Sequence, residues 1–157
     1  MPIPEFIVDI RKKIGHDLLW LPGSTGLVVD GEQRVLLVRR ADNLQWTLVT
    51  GCLDPGEQPA VGIVREILEE TGVTARAERV LAVDTTGRFT HANDDETVFL
   101  DVVFVCTPTG GTARVNDDES VDVGWFPIAE LPELPPRHQR YVKQYLDGGE
   151  KTWFAEA

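Results

Sequence analysis

The sequence predicts an α+β fold, a β-rich core with interspersed helices, built as one domain of 157 residues. Three observations predict it. Apolar runs of strand length, such as residues 27–29, 35–38 and 102–106, recur between turn-forming residues. Helical spacing of apolar residues shows in three places only, near the start, the middle and the end. No internal repeat or low-complexity tract interrupts the chain. This order fits an α+β domain or a three-layer sandwich.

Taken in order, residues 4–14 carry Phe6, Ile7, Ile10 and Ile14 at helical spacing, with Pro4 suited to a first turn and Gly15 to a C-cap. This helix and its lead-in, residues 1–22, pack on the domain or serve a homodimer contact. Residues 24–29 and 34–40 read as two strands of a hairpin joined at Asp30-Gly31. A polar loop leads to Trp46 and a strand at 47–50, then to a glycine- and proline-bearing loop at 51–57. Residues 59–71 form a helix, with Pro59 in its first turn and Gly72 at its C-cap. Strands follow at about 73–84 and 96–106 on either side of a polar loop. Residues 108–112 turn the chain, an acidic loop covers 116–120, and a strand at 121–126 ends in Trp125-Phe126. A closing helix over 136–147 places Tyr141, Tyr145 and Leu146 at helical spacing before Gly148-Gly149.

Composition narrows the function. Net charge is −11 at pH 7, which excludes a general nucleic-acid binder because that role needs a basic face. A small phosphorylated partner is compatible when divalent cations stand between the two anions. Cys52 and Cys106 are too few for a disulfide framework; both read as bystanders, Cys106 in an apolar run. No apolar run reaches the roughly 18 residues that span a bilayer. Asp9 interrupts the early apolar stretch and the basic triplet at 11–13 follows it, so no signal peptide is expected and the cytoplasm is.

The chemistry concentrates in residues 51–73, GCLDPGEQPAVGIVREILEETGV. On a helix of 3.6 residues per turn, Ala60, Ile63, Val64, Ile67 and Thr71 share one face, which packs on the sheet. Glu66, Glu69 and Glu70 fall together on another face as neighbours three and four apart. Such a run is most often a solvated acidic face. Gly62 argues otherwise: a helix-interior glycine costs up to about 1 kcal/mol relative to Ala, which invites a steric explanation such as an unobstructed ligand approach. Glu57 ends the preceding loop within reach of the same cluster. Four converging carboxylates suit Mg²⁺ or Mn²⁺, and Arg65 can pair with Glu69 four residues on.

This stretch resembles the signature of the Nudix hydrolases, G-x5-E-x7-R-E-U-x-E-E-x-G-U with U apolar. Gly51, Glu57, Arg65, Glu66, Ile67, Glu69, Glu70, Gly72 and Val73 match it. Weaker likeness extends over residues 24–132, through Arg39-Arg40, Trp46, Trp125-Phe126 and Glu130-Leu131-Pro132, toward the ADP-ribose pyrophosphatase-like branch. The resemblance implies an α/β/α sandwich with a mixed sheet between helices. It implies hydrolysis of a nucleoside diphosphate linked to another moiety by water attack on phosphorus. It implies that Gly51, Glu57, Glu66, Glu69 and Glu70 hold Mg²⁺, with Mn²⁺ as substitute, to polarise phosphoryl oxygens and activate water.

Several assignments stay open. Glu69, Glu70, Glu119, Glu96 and Asp95 are candidates for the general base. Arg39 and Arg40 are candidates for phosphate contact, because guanidinium suits phosphate geometry. His91, Asn93, Asp94 and Asp95 lie in a loop that reads substrate or is merely polar. Trp20 and Phe6 are expected in buried packing rather than stacked on a base, and His138, Arg137 and Arg140 at the surface. Val49-Thr50 stands where many family members carry Pro-Gly, which leaves the substrate branch open. The alternative of another class is a nucleotide-sensing module without hydrolysis, against which the intact carboxylate set argues. Isopentenyl diphosphate isomerisation needs a catalytic cysteine and a longer chain.

Overall fold

The computed structural model describes residues 3–156. Helices are α1 (Glu5–Ile14), α2 (Pro59–Thr71) and α3 (Pro136–Leu146). Strands are β1 (Leu19–Val28), β2 (Arg34–Arg40), β3 (Trp46–Thr47), β4 (Val49–Cys52), β5 (Val73–Thr85), β6 (Phe89–Thr90), β7 (Glu96–Gly111) and β8 (Ser120–Pro127). A mixed sheet runs β4-β1-β7-β5, with β6 also on β7; β1 and β7 are parallel and the other pairs antiparallel. A second, antiparallel sheet runs β3-β2-β8.

Strand alternation explains how both sheets join one layer. Leu27, Val29, Val35, Leu37, Leu48, Val103 and Val105 enter one core, with Tyr141 and Val142 of α3. Their neighbours Val28, Leu36, Val38, Val49, Phe104 and Cys106 enter the other, with Ile63 and Ile67 of α2. Successive side chains point to opposite faces, and here both faces are buried. The result is helix, sheet layer, helix. Gly26 lies beneath α2, where a Cβ would stand 3.0–3.2 Å from Ile63 and Ile67 atoms. Its missing side chain lets the helix settle close.

Five expectations change. The Asp30-Gly31 turn forms, with Asp30 Oδ1 accepting the Glu32 and Arg34 amides. Yet β1 and β2 share only the bridge Val29↔Val35 and then part into different sheets. Each needs strand partners on both edges, which a simple hairpin would not supply. The strand at 47–50 breaks at Leu48, whose N–H donates to His138 Nδ1 (3.2 Å) instead of to a ladder. That bond draws His138 into the core at 1% exposure, not to the surface. The turn expected at 108–112 is strand: β7 continues to Gly111 along the start of β5. Trp20 is exposed rather than packed.

The outer edge of β5 does not stay open. Trp153 N–H donates to Leu81 O and Val83 N–H to Trp153 O, both at 2.9 Å, so the C-terminal segment covers that edge. Among the described residues no helix is long and apolar enough to cross a membrane.

Ile67 is fully buried between α2 and the sheet layer. Ile67→Ala is expected to cost about 2–5 kcal/mol of unfolding free energy, because it removes buried methylenes and leaves a cavity. Urea denaturation checks this; a loss well below that range would mean α2 does not dock as described.

Candidate active site

The site grows from the way α2 is set. Pro59 stands at its first turn and Gly72 ends it in the left-handed conformation, φ 68°, with the Gly72 N–H returning to Leu68 O. Ile63, Ile67 and Thr71 face the sheet as the spacing requires. The carboxylates do not stay on one solvated stripe. Glu66 and Glu70 are sunk, at 3% and 5% exposure, Glu66 against Gly51 of β4, while the Glu69 side chain is 42% exposed.

Gly51 makes the burial of Glu66 feasible. A Cβ at Gly51 would fall on the Glu66 carboxyl group itself. Gly62 has a different purpose from the one expected. A side chain there would first strike Leu53 Cδ2 and then approach Glu57 Oε2 at 3.0 Å, so the helix–loop packing needs its absence.

Arg65 is the hub. Its Nε and Nη2 donate to the two Glu57 oxygens, both at 2.9 Å, in a bidentate pair. Its Nη1 donates to Glu66 Oε1 (2.9 Å) and Glu69 Oε2 (3.1 Å), and Nη2 also reaches Cys52 O at 3.5 Å. The expected Arg65–Glu69 pair is therefore one strand of a four-residue network. The Arg65 bond holds the Glu57 carboxyl below its ordinary range.

Among the described residues no guanidinium is hydrogen-bonded to the Glu70 carboxyl in this way. Burial first, then repulsion from Glu119, Glu66 and Asp117, pushes that carboxyl up to about 9, with only partial relief from Arg40. Burial likewise pushes Glu66 up to about 7; Arg65 opposes the shift, and Glu69 and Glu119 add to it. The same surroundings push the Cys52 thiol up to about 11, so it is no nucleophile at neutral pH.

The structure brings some expected residues to this cluster and leaves others out. Glu119 and Arg40 join it, since both act electrostatically on Glu70. Arg40 is gripped by Asp42 through two bonds, 2.9 and 2.6 Å. Arg39 does not join: strand alternation turns it to the opposite face, where Nε donates to Leu44 O at 3.0 Å. Asp95 pairs with His16 (2.8 Å) and Arg11 (3.4 Å) of the α1 region, and Glu96 with Arg88 (3.3 Å). These two carboxylates belong to a separate ionic cluster. Their loop neighbours stay with them: His91 bonds Thr97, and Asn93 bonds Asp95.

Polar groups that sequence reasoning missed lie on the α3 side. Asp101 is buried beneath α3, accepting from Thr25 Oγ1 (2.8 Å) and Arg137 Nη1 (3.4 Å). His138 is kept neutral, pushed down to about 3 by burial and then by Arg137 and Arg40. Asp101 sits one residue before an apolar run, and His138 between two arginines, so neither pattern signals burial. Asn116 and Asp117 carry no mark in the sequence beyond their place in an acidic loop.

Comparison with known proteins bears on this geometry. The NUDIX domain family model matches residues 20–146. The chain belongs to the NUDIX family. A Bacillus subtilis (strain 168) protein provisionally named an 8-oxo-dGTP diphosphatase is 30% identical over 84% of this chain and 84% of its own length. A MutT-like protein of Streptomyces ambofaciens is 37% identical over 69% of this chain, which spans 64% of that relative. Among solved structures, a UDP-X diphosphatase is 27% identical with a TM-score of 0.67, covering 94% of this chain and 73% of its own. The protein is a Nudix pyrophosphohydrolase with the α+β fold of the family, a mixed sheet and three helices.

Two outcomes test the Nudix box geometry. Gly51→Ala is expected to leave the fold intact but displace the Glu66 carboxyl, lowering kcat by about 100-fold or more if that group acts in the reaction. Retained activity would separate Glu66 from the chemistry. The second outcome concerns pH. Glu66 and Glu70 have folded-state values above their ordinary 4.5, so their contribution to stability is full below that value and is lost as pH rises toward about 9. The slope is at most about 1.4 kcal/mol per pH unit for each group. Glu70→Gln removes one ionisation. In chelator, it is expected to raise Tm by more at pH 8 than at pH 5, as followed by thermal melts.

Proposed function

We propose that this Nudix pyrophosphohydrolase cleaves the diphosphate linkage of a nucleoside diphosphate derivative by water attack on phosphorus, using a divalent cation held by α2. The observation that carries the proposal is the buried Glu66–Glu70 pair, with Glu119 and Asp117 acting against Glu70 and Arg40 partly relieving it. Anions brought together this way are destabilising unless a cation offsets them. Their hard oxygen donors fit Mg²⁺, with Mn²⁺ as substitute. Among the described residues no three His, Cys, Asp or Glu side chains already converge on one point, because Arg65 draws Glu57, Glu66 and Glu69 to itself. Cation binding therefore shares these groups with Arg65.

Glu57, Glu66, Glu69, Glu70 and the Gly51 main chain would hold the ion. When bound, it neutralises phosphoryl charge and acidifies water. The chain's own groups do the rest. Arg65 fixes the carboxylates in orientation. Arg40, on the same side as Glu70, meets a substrate phosphate as Asp42 yields its grip. Glu119 is exposed in the loop beside Glu70 and takes the proton of the attacking water. A nucleotide-type substrate is supported by the relatives, whose names span 8-oxo-dGTP, ADP-ribose and UDP-linked compounds.

The test is phosphate release, with and without added phosphatase, across nucleoside triphosphates, ADP-ribose and nucleotide sugars in Mg²⁺ and then Mn²⁺. Turnover is expected to need the metal and to fall about 100-fold or more in Glu70→Gln. Tight metal-dependent nucleotide binding without turnover would replace hydrolysis by sensing.

A further inference from the structure

An α-helix ends with four carbonyls that lack partners inside the helix. In α2 these belong to Leu68, Glu69, Glu70 and Thr71, directly behind the candidate carboxylates. Besides the Gly72 cap, one loop satisfies them. Asn116 Nδ2 donates to Leu68 O (3.1 Å) and Glu69 O (3.0 Å). The Asn116 amide donates to Glu70 O (3.2 Å) and the Arg114 amide to Thr71 O (3.0 Å).

The same loop carries Asp117 and Glu119, and its far end is pinned by the Ala41 N–H on Glu119 O (2.8 Å). Electrostatics are divided over this placement. The negative end of the α2 dipole repels the acids of the loop and no basic residue stands in the last turn of α2 itself, while the Arg114 guanidinium of the same loop lies against Gly72 and offsets part of that repulsion. Glu70 repels Asp117 and Glu119 as well. Asp117 Oδ2 is buried without a hydrogen-bond partner among the described residues. Asn116 is suited to hold the loop against these forces, because its amide is neutral and offers two N–H donors to two adjacent carbonyls.

We infer that Asn116 is a positioning residue, a clamp that fastens the acidic loop to the C-terminal end of α2 and thereby sets Glu119 beside Glu70. The inference rests on the role given to Glu119 above. Asn116 acts through the loop and is assigned no contact with the reacting atoms.

A double-mutant cycle in kcat, on variants shown to be folded by circular dichroism, tests this. Glu119→Gln is expected to lower kcat by about 100-fold or more, and Asn116→Ala by about tenfold or more with KM within about threefold. The double variant is expected to fall no lower than Glu119→Gln alone, since both changes remove one device. Asn116→Ser, which keeps one donor, is expected to lie between Asn116→Ala and the unmutated protein, and it replaces Asn116→Ala in the cycle if the latter fails to fold. Losses that multiply in the double variant, or an Asn116→Ala enzyme with unchanged kcat, would overturn the clamp and leave Glu119 standing. Unchanged kcat in Glu119→Gln would instead remove the Glu119 reading, and the clamp with it.

Discussion

Burial of the Glu66 carboxyl against Gly51 is the constraint on which the rest of the site depends. A carboxylate leaves water only where its oxygens find donors or a cation. Here Arg65 supplies the donor, and Gly51 supplies the room by having no side chain. Once Glu66 is set there, Glu70 follows one turn later on the same flank, and it too is buried. Two further close approaches set the same helix: Gly26 beneath Ile63 and Ile67, and Gly62 against Leu53 and Glu57.

The two cores make that placement rigid. α2 is pressed onto one face of a sheet layer whose other face is covered by α3, which fixes the flank on which its buried acids lie. Charge is balanced unevenly across the cluster. Glu57, Glu66 and Glu69 share Arg65, while Glu70 faces Glu119, Glu66 and Asp117 and is partly relieved by Arg40. A protein selected for stability alone would not bury Glu70 in this way. Stability surrendered at a buried polar cluster is the usual mark of a working site.

Much of the fold was legible in advance where local rules decide. α1, α2 and α3 fall where apolar spacing, Pro and Gly placed them, because a helix is closed by bonds within its own segment. Strand pairing was less legible. The hairpin signal at Asp30-Gly31 correctly marks a turn, but which strands lie beside β1 and β2 depends on segments far along the chain. The break at Leu48 depends on His138, 90 residues away. No window around Leu48 contains that information.

The sequence by itself determined the family of carboxylates, their spacing on one helix, and the glycines that flank them, since a helical repeat converts spacing into adjacency without reference to the rest of the chain. Only the tertiary structure decided what each residue became. Glu66 and Glu70 sink while Glu69 stays at the surface, Arg40 turns toward the cluster while Arg39 turns away, and Asn116 meets the end of α2 from a loop 45 residues downstream of Thr71. The reason is physical: burial and long-range hydrogen bonding are properties of what is packed alongside, and that is settled when the sheets assemble.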